Sequence, residues 1–310
     1  MKKLFVTIAA ALLALGSLNA QDLAQATETY NNGATYLSSG NFESALEAFQ
    51  QAYSIAVNLG EEGQEVAENC KNAIPEVSLN LAKSLAQDED YDGAIARLNS
   101  TIELATEYAN QAVSDEAAAL IPQLLLQKGN NLLNSKDYAG AAAAYQQILD
   151  SDATNGVAAL RLGMALSAGG DSEGAIAAFT TASENGQKAA ADKQLGTLYL
   201  KNALASLREK DYAAAVEEAV KSNEYSESST AYQIAGQAAQ LSGNNNDAIK
   251  YFEKYLELAP DAKNAGQISY TVGALYQTAG NIEKAKEFYN MTLDDPTYGP
   301  EAKKLLDALK

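Results

Sequence analysis

The chain of 310 residues carries 40 acidic and 22 basic side chains, for a formal charge of −18, and 47% of it is hydrophobic. An anionic surface of that size repels nucleic acid and anionic lipid headgroups, both of which need phosphate neutralisation by Lys and Arg. With no His anywhere, the commonest general base and the commonest metal ligand are missing, and a single cysteine, Cys70, excludes an internal disulfide.

The first twenty residues read as a leader. Lys2 and Lys3 give a basic start, Leu4 to Gly16 an apolar stretch, and Ser17-Leu18-Asn19-Ala20 a small-residue end that predicts cleavage before Gln21. The stretch is shorter than the about 20 apolar residues that a membrane-spanning helix needs. No Cys stands near the cleavage point to take a lipid. A mature chain of 21–310 is therefore expected, exported to the periplasm or the periplasmic face of the outer membrane, with its charge moved from −18 to −20 by loss of the two lysines.

From residue 26 onward the chain repeats itself. A small residue is followed twelve positions later by Ala at Gly33/Ala45, Ala82/Ala94, Gly129/Ala141, Gly163/Ala175, Ala203/Ala215, Gly236/Ala248 and Gly273/Ala285. Four residues before each Ala stands Asn41, Asp90, Asp137, Asp171, Asp211, Asn244 or Asn281, where a side-chain oxygen would cap a helix. Four residues after it come Phe49, Leu98, Tyr145, Phe179, Ala219, Phe252 and Tyr289. Gly40, Gly170, Gly243 and Gly280 lie just before four of the caps, where a preceding helix must stop. Each unit predicts two antiparallel helices approaching closely at the small residue and the Ala, with the later residue filling the gap between units. Such a hairpin cannot bury its apolar face alone and must stack on neighbours.

The small residue, the cap, Tyr91-x-x-Ala94 or Tyr138-x-x-Ala141, and the following aromatic resemble the tetratricopeptide repeat, most closely over 236–260 and 273–289. The resemblance covers most of 26–299. It implies an all-α fold: a right-handed α-solenoid of about seven helix–turn–helix units with a C-terminal capping helix. Ala219 in place of an aromatic, and Ser172 and Asn245 in place of Tyr, predict looser packing in the fourth to sixth units.

Successive alanines of the frame lie 49, 47, 34, 40, 33 and 37 residues apart, against a typical period of about 34. The surplus in the first two gaps falls near 60–74 and 109–121. Val66, Cys70, Ile74, Val77, Leu81 and Leu85 recur there at three- or four-residue steps, and Pro75 and Pro122 each follow an Ile. These features predict extended first helices kinked at proline. The expected organisation is a leader over 1–20, N-terminal units with extended helices over 21–121, a regular array over 122–299, and a capping helix over 300–310.

Candidate chemistry is sparse. Asp88, Asp90, Asp92 and Gly93 imitate the start of a calcium loop, but the closing carboxylate position holds Asn99 and Asp90 is already needed as a cap. Cys70 falls on an apolar face and reads as a buried structural thiol. No catalytic, cofactor-binding or metal-binding residue is expected, and no cofactor. By the resemblance, first helices line an inner groove that holds a peptide or helix. The positions that face it correspond to Asn31, Asn80, Lys83, Gln127, Asn130, Arg161, Lys201, Arg208 and Gln237, with Ile234 and Thr271 in the same register and Tyr30 and Tyr270 placed to stack on a ligand. Amides pair with both N–H and C=O of a peptide backbone, and cations meet a carboxylate. The expected function is a non-enzymatic scaffold or adaptor of the bacterial cell envelope. Its partner would be a protein or peptide, basic or with an accessible carboxylate, without nucleic acid or direct membrane insertion. The alternative is a periplasmic peptide- or glycan-binding module.

Overall fold

The computed structural model describes residues 18–309; the residues before 18, which hold nearly all of the expected leader, lie outside that range. Helices α1 (Leu18–Ser38), α2 (Phe42–Asn58), α3 (Gln64–Gln87), α4 (Tyr91–Glu107), α5 (Gln111–Asn134) and α6 (Tyr138–Ser151) are followed by α7 (Gly156–Gly169), α8 (Ser172–Ala182), α9 (Lys188–Glu209) and α10 (Tyr212–Tyr225). The chain continues with α11 (Ser229–Leu241), α12 (Asn245–Leu258), α13 (Ala265–Thr278), α14 (Ile282–Met291) and α15 (Gly299–Ala308). No strand occurs among the described residues, and none of their helices is long and apolar enough to cross a membrane. The fold is an all-α array of helical hairpins, each packed on the next in sequence within its unit.

Each second helix starts where its cap dictates. The side chains of Asn41, Asp90, Asp171, Asp211, Asn244 and Asn281 accept from the backbone N–H three residues on, at 2.9 to 3.3 Å, and Asp137 does the same for Gly140 at 2.9 Å. One residue before every one of these caps the backbone is left-handed, at Gly40, Glu89, Lys136, Gly170, Lys210, Gly243 and Gly280. That conformation ends the preceding helix and turns the chain back. Pro75 and Pro122 lie inside α3 and α5, each 24 residues long.

The chain forms two compact units, divided after Ile148 near the end of α6. In the first, Tyr30, Phe49, Val66, Cys70, Ile74 and Val77 form one core, and Leu79, Leu98, Val113 and Leu124 belong to a second. Between α3 and α4 the hydroxyls of Ser78 and Thr101 satisfy each other at 2.7 Å in full burial. In the second unit Phe179, Leu195 and Leu198 hold one core, and Ile234, Phe252, Tyr255, Leu256 and Val272 another. Leu305 and Leu306 of α15 and Leu309 just after it pack on the cluster of Ala285, Tyr289 and Ala302, closing that end of the core.

The aromatic four residues after the frame alanine sits somewhere more specific than a gap between units. Its ring rests on the small residue of its own hairpin: a Cβ placed on Gly163 would meet Phe179 at 2.5 Å, and one on Gly129 would meet Tyr145 at 2.5 Å. Nor do the departures from the pattern loosen the array. Ala203 and Ala219 are both fully buried, so α9 and α10 close on two small residues instead of a glycine and a ring. Ser172 donates to Asn202 at 3.3 Å.

Candidate partner-binding surface

Within each unit, first helices approach first helices. In the unit before Ile148, α1 touches α3 and α3 touches α5; in the unit after it, α7 touches α9 and α9 touches α11. Among the described residues of the second unit, the second helices α8, α10, α12 and α14 make no comparable approach to one another. The first helices therefore form the tighter layer over α1, α3 and α5 and over α7, α9 and α11, whereas among the described residues α13 makes no comparable approach to α11.

On the first unit two of the five expected positions are taken by partners within the chain. Lys83 of α3 donates to Glu116 of α5 at 2.6 Å, which ties two first helices together. Asn130 accepts from the Tyr145 hydroxyl at 2.9 Å. Asn31 and Asn80 are half-buried, and Gln127 is exposed. Tyr30 does not face a groove: it is buried against Phe49, with ring centroids 5.1 Å apart.

On the second unit the expected positions are more open. Arg161 of α7 is half-buried, while Lys201 and Arg208 of α9 and Gln237 of α11 are exposed. None of the three cations is in an ion pair among the described residues. Ile234 departs from the expected pattern, being buried in the core. Tyr270 is half-buried, packed on Tyr289 and Tyr298.

Gln237 does not act alone. It lines a cleft of about 200 Å³ between α11 and α13 with Gln233, Gln240, Asn264, Gln267 and Thr271, floored by Phe252 and Ile268. Four glutamines and an asparagine give donors and acceptors on both walls and no formal charge. Such a lining suits a peptide backbone, whose N–H and C=O alternate. The Asn264 side chain is held from behind, its oxygen accepting from the Tyr255 hydroxyl, and the Thr271 hydroxyl is turned to its own helix at Gln267. Gln233, Gln240 and Gln267 escaped the sequence reading, although Gln233, Gln237 and Gln240 recur at four and three residues along one helix face. Other cavities lie elsewhere, one of about 960 Å³ between α14 and α15 with Asn290, Leu293, Pro296 and Leu306 in its walls.

Burial shifts several titratable groups upward, the Glu76 carboxyl among them. Burial pushes the Cys70 thiol up to about 12, and burial with a hydrogen bond from Tyr276 to Glu253 raises that phenol to about 12. Among the described residues no cluster of three or more Cys, Asp or Glu is placed to hold a metal ion.

Models of the tetratricopeptide repeat match residues 30–56, 132–197 and 229–262. The photosystem I assembly protein Ycf3 of Rippkaea orientalis is 29% identical over 72 residues; the match covers 23% of this chain and spans 42% of that protein's length. Among solved structures, a MamA crystal structure is 19% identical, covering 59% of this chain and 96% of its own, with a TM-score of 0.38. YrrB, described as a tetratricopeptide-repeat protein with an unusual peptide-binding site, is 20% identical, covering 58% and 91%, with a TM-score of 0.34. The matched segments fall on the capped hairpins described above, and this chain is a tetratricopeptide-repeat protein.

Proposed function

We propose that the protein is a non-enzymatic scaffold that holds a segment of a partner protein on the first-helix surface, within an assembly of the bacterial cell envelope. The observation that carries this reading is the cleft between α11 and α13, where Gln233, Gln237, Gln240, Asn264 and Gln267 present uncharged donors and acceptors over an apolar floor. Affinity there comes from the backbone of the bound segment, so several sequences are accommodated. A stable contact needs about 1,000 Å² or more of buried surface, which is more than this cleft alone offers and calls on neighbouring first helices as well. Export, and with it a working site in the periplasm or at the periplasmic face of the outer membrane, is read from the leader-like sequence of residues 1–20.

A photoactivatable crosslinking residue placed at Gln237, and for comparison at exposed Glu257 of α12, tests the reading in intact cells. The expected result is one adduct of defined mass from position 237 and none from 257, with the protein recovered in the periplasmic fraction. Equal labelling from both positions, or none from 237, removes the surface assignment. Recovery from the cytoplasm removes the envelope assignment.

A further inference from the structure

In the second unit charge is sorted by helix. The first helices α7, α9, α11 and α13 contain five cations, Arg161, Lys188, Lys193, Lys201 and Arg208, and only two carboxylates, Asp192 and Glu209. Their partners α8, α10, α12 and α14 contain nine carboxylates and five lysines. Four of those lysines are neutralised within their own helices: Lys221 by Glu217, Lys254 by Glu257, Lys284 by Glu287 and Lys286 by Glu283. On the first helices the one such pair is Lys188 with Asp192, at 2.6 Å; Asp192 also accepts from Ser183 at 3.0 Å. That carboxylate is spent, and α7, α11 and α13 bring none.

On these first helices four cations are thus left without an ion pair among the described residues, in a chain of net charge −18: Arg161, Lys193, Lys201 and Arg208. Three of them share a line. Lys193, Thr197, Lys201, Leu204 and Arg208 are all exposed on α9, and at 100° per residue they fall within an arc of about 80°. The stripe is about 22 Å long at 1.5 Å per residue, the reach of about seven residues of extended chain. Its cations stand about 12 and 10 Å apart along the helix axis. Carboxylates four residues apart on one side of an extended segment have nearly that spacing.

We infer that the α9 stripe Lys193–Lys201–Arg208 receives an acidic segment of a partner protein, laid along the helix with carboxylates on the three cations. The inference rests on the proposed use of the first-helix surface and names the chemistry of the segment held there. Three or four cations over about 22 Å are too few for a nucleic acid, which carries a charge every 1.7 Å or so of duplex, and the protein's overall charge opposes a dense polyanion. A peptide with spaced carboxylates meets the stripe without that penalty, and the amide cleft on α11 and α13 offers its backbone a continuation.

Fluorescence anisotropy on the full mature chain tests this with labelled peptides of equal length built from alternating Gly-Glu, Gly-Ser and Gly-Lys, and with inorganic polyphosphate as competitor. The Gly-Glu peptide should bind about tenfold tighter than Gly-Ser and lose that margin between about 50 and 200 mM salt. Lys193→Glu with Lys201→Glu and Arg208→Glu should remove the margin, whereas Lys221→Glu with Lys254→Glu on the second helices should not, circular dichroism being unchanged in both. Equal binding of Gly-Glu and Gly-Ser, or insensitivity to the triple reversal, overturns the inference. If Gly-Ser or Gly-Lys binds best and Gln237→Ala weakens it, the acidic assignment falls while the first-helix surface stands. If no peptide binds, both fall. Polyphosphate binding more tightly than Gly-Glu would overturn the choice of a protein partner.

Discussion

Gly236 and Phe252 are fitted to each other: a Cβ on Gly236 would stand 2.5 Å from Cδ1 of the buried Phe252 ring. The same relation holds between Gly33 and Phe49, Gly129 and Tyr145, Gly163 and Phe179, and Gly273 and Tyr289. Where the small residue is alanine the ring is gone, and Ala82 faces the Leu98 position and Ala203 the Ala219 position. Glycine goes with a ring and alanine with an aliphatic side chain in all seven hairpins, because the closest point of two helices has room for one of the two, not for both.

That complementarity predicts a compensating pair. Gly236→Ala should destabilise the protein by about 1–3 kcal/mol through overpacking against Phe252. Ala219→Phe should do the same in the α9–α10 hairpin, and Ala203→Gly alone should cost about 1 kcal/mol in helix propensity. The double variant Ala203→Gly with Ala219→Phe should recover most of the loss, measured as the interaction free energy of a urea-denaturation cycle. Strict additivity would mean that the ring does not seat on the small residue.

The repeat frame was legible because its signals are local. A cap bonds an amide three residues away, and a Gly–aromatic pair spans one hairpin, so Asp171 with Gly174 and Gly163 with Phe179 follow from spacing alone. The surface was only partly legible, because occupancy is decided between hairpins. Nothing near Lys83 announces that its ammonium is taken by Glu116, 33 residues on, and nothing near Asn130 announces the Tyr145 hydroxyl. The register that exposes Gln237 buries Ile234, three residues earlier on the same helix, under the neighbouring hairpin. Counting from the small residue finds the helix face but not its degree of cover. Ala219, judged a weak point from its own identity, is explained only by Ala203.

Cys70 gives a pH-dependent test of the first core. Its thiol is fully buried, and burial moves it from 9.0 to about 12. Below pH 9 the thiol is neutral in both folded and unfolded chains and contributes no pH dependence. Between 9.0 and about 12 only the unfolded chain loses its proton, so stability falls as pH rises through that window. Cys70→Ala removes this titration, together with the part of the upward shifts of Tyr30 and Tyr108 that the charge on Cys70 causes. The stability margin of the wild type over Cys70→Ala should therefore shrink steadily above about pH 9. In the native protein, alkylation by iodoacetamide should be slow until urea exposes the thiol. Rapid modification without denaturant would contradict the burial of this face.

The turns carry a last prediction, since four hairpins place glycine at the left-handed residue before the cap and three do not. Glu89, Lys136 and Lys210 adopt φ of 62°, 66° and 65°. An L-residue with a Cβ is disfavoured there by about 1–2 kcal/mol, while glycine brings an entropic cost of about 0.5–1 kcal/mol from the unfolded chain. Lys210→Gly should thus stabilise the protein by about 0.5–1 kcal/mol. Lys210 is exposed and has no ion pair among the described residues, so little else changes. Lys210→Ala, which keeps the Cβ, separates the backbone effect from loss of the charge: it should leave stability unchanged. The readout is the urea midpoint at constant slope. An alanine variant as stabilised as the glycine one would assign the gain to charge. No gain from glycine would show that the turn at Lys210 is not left-handed in solution, and with it that α9 does not end where Asp211 begins the next helix.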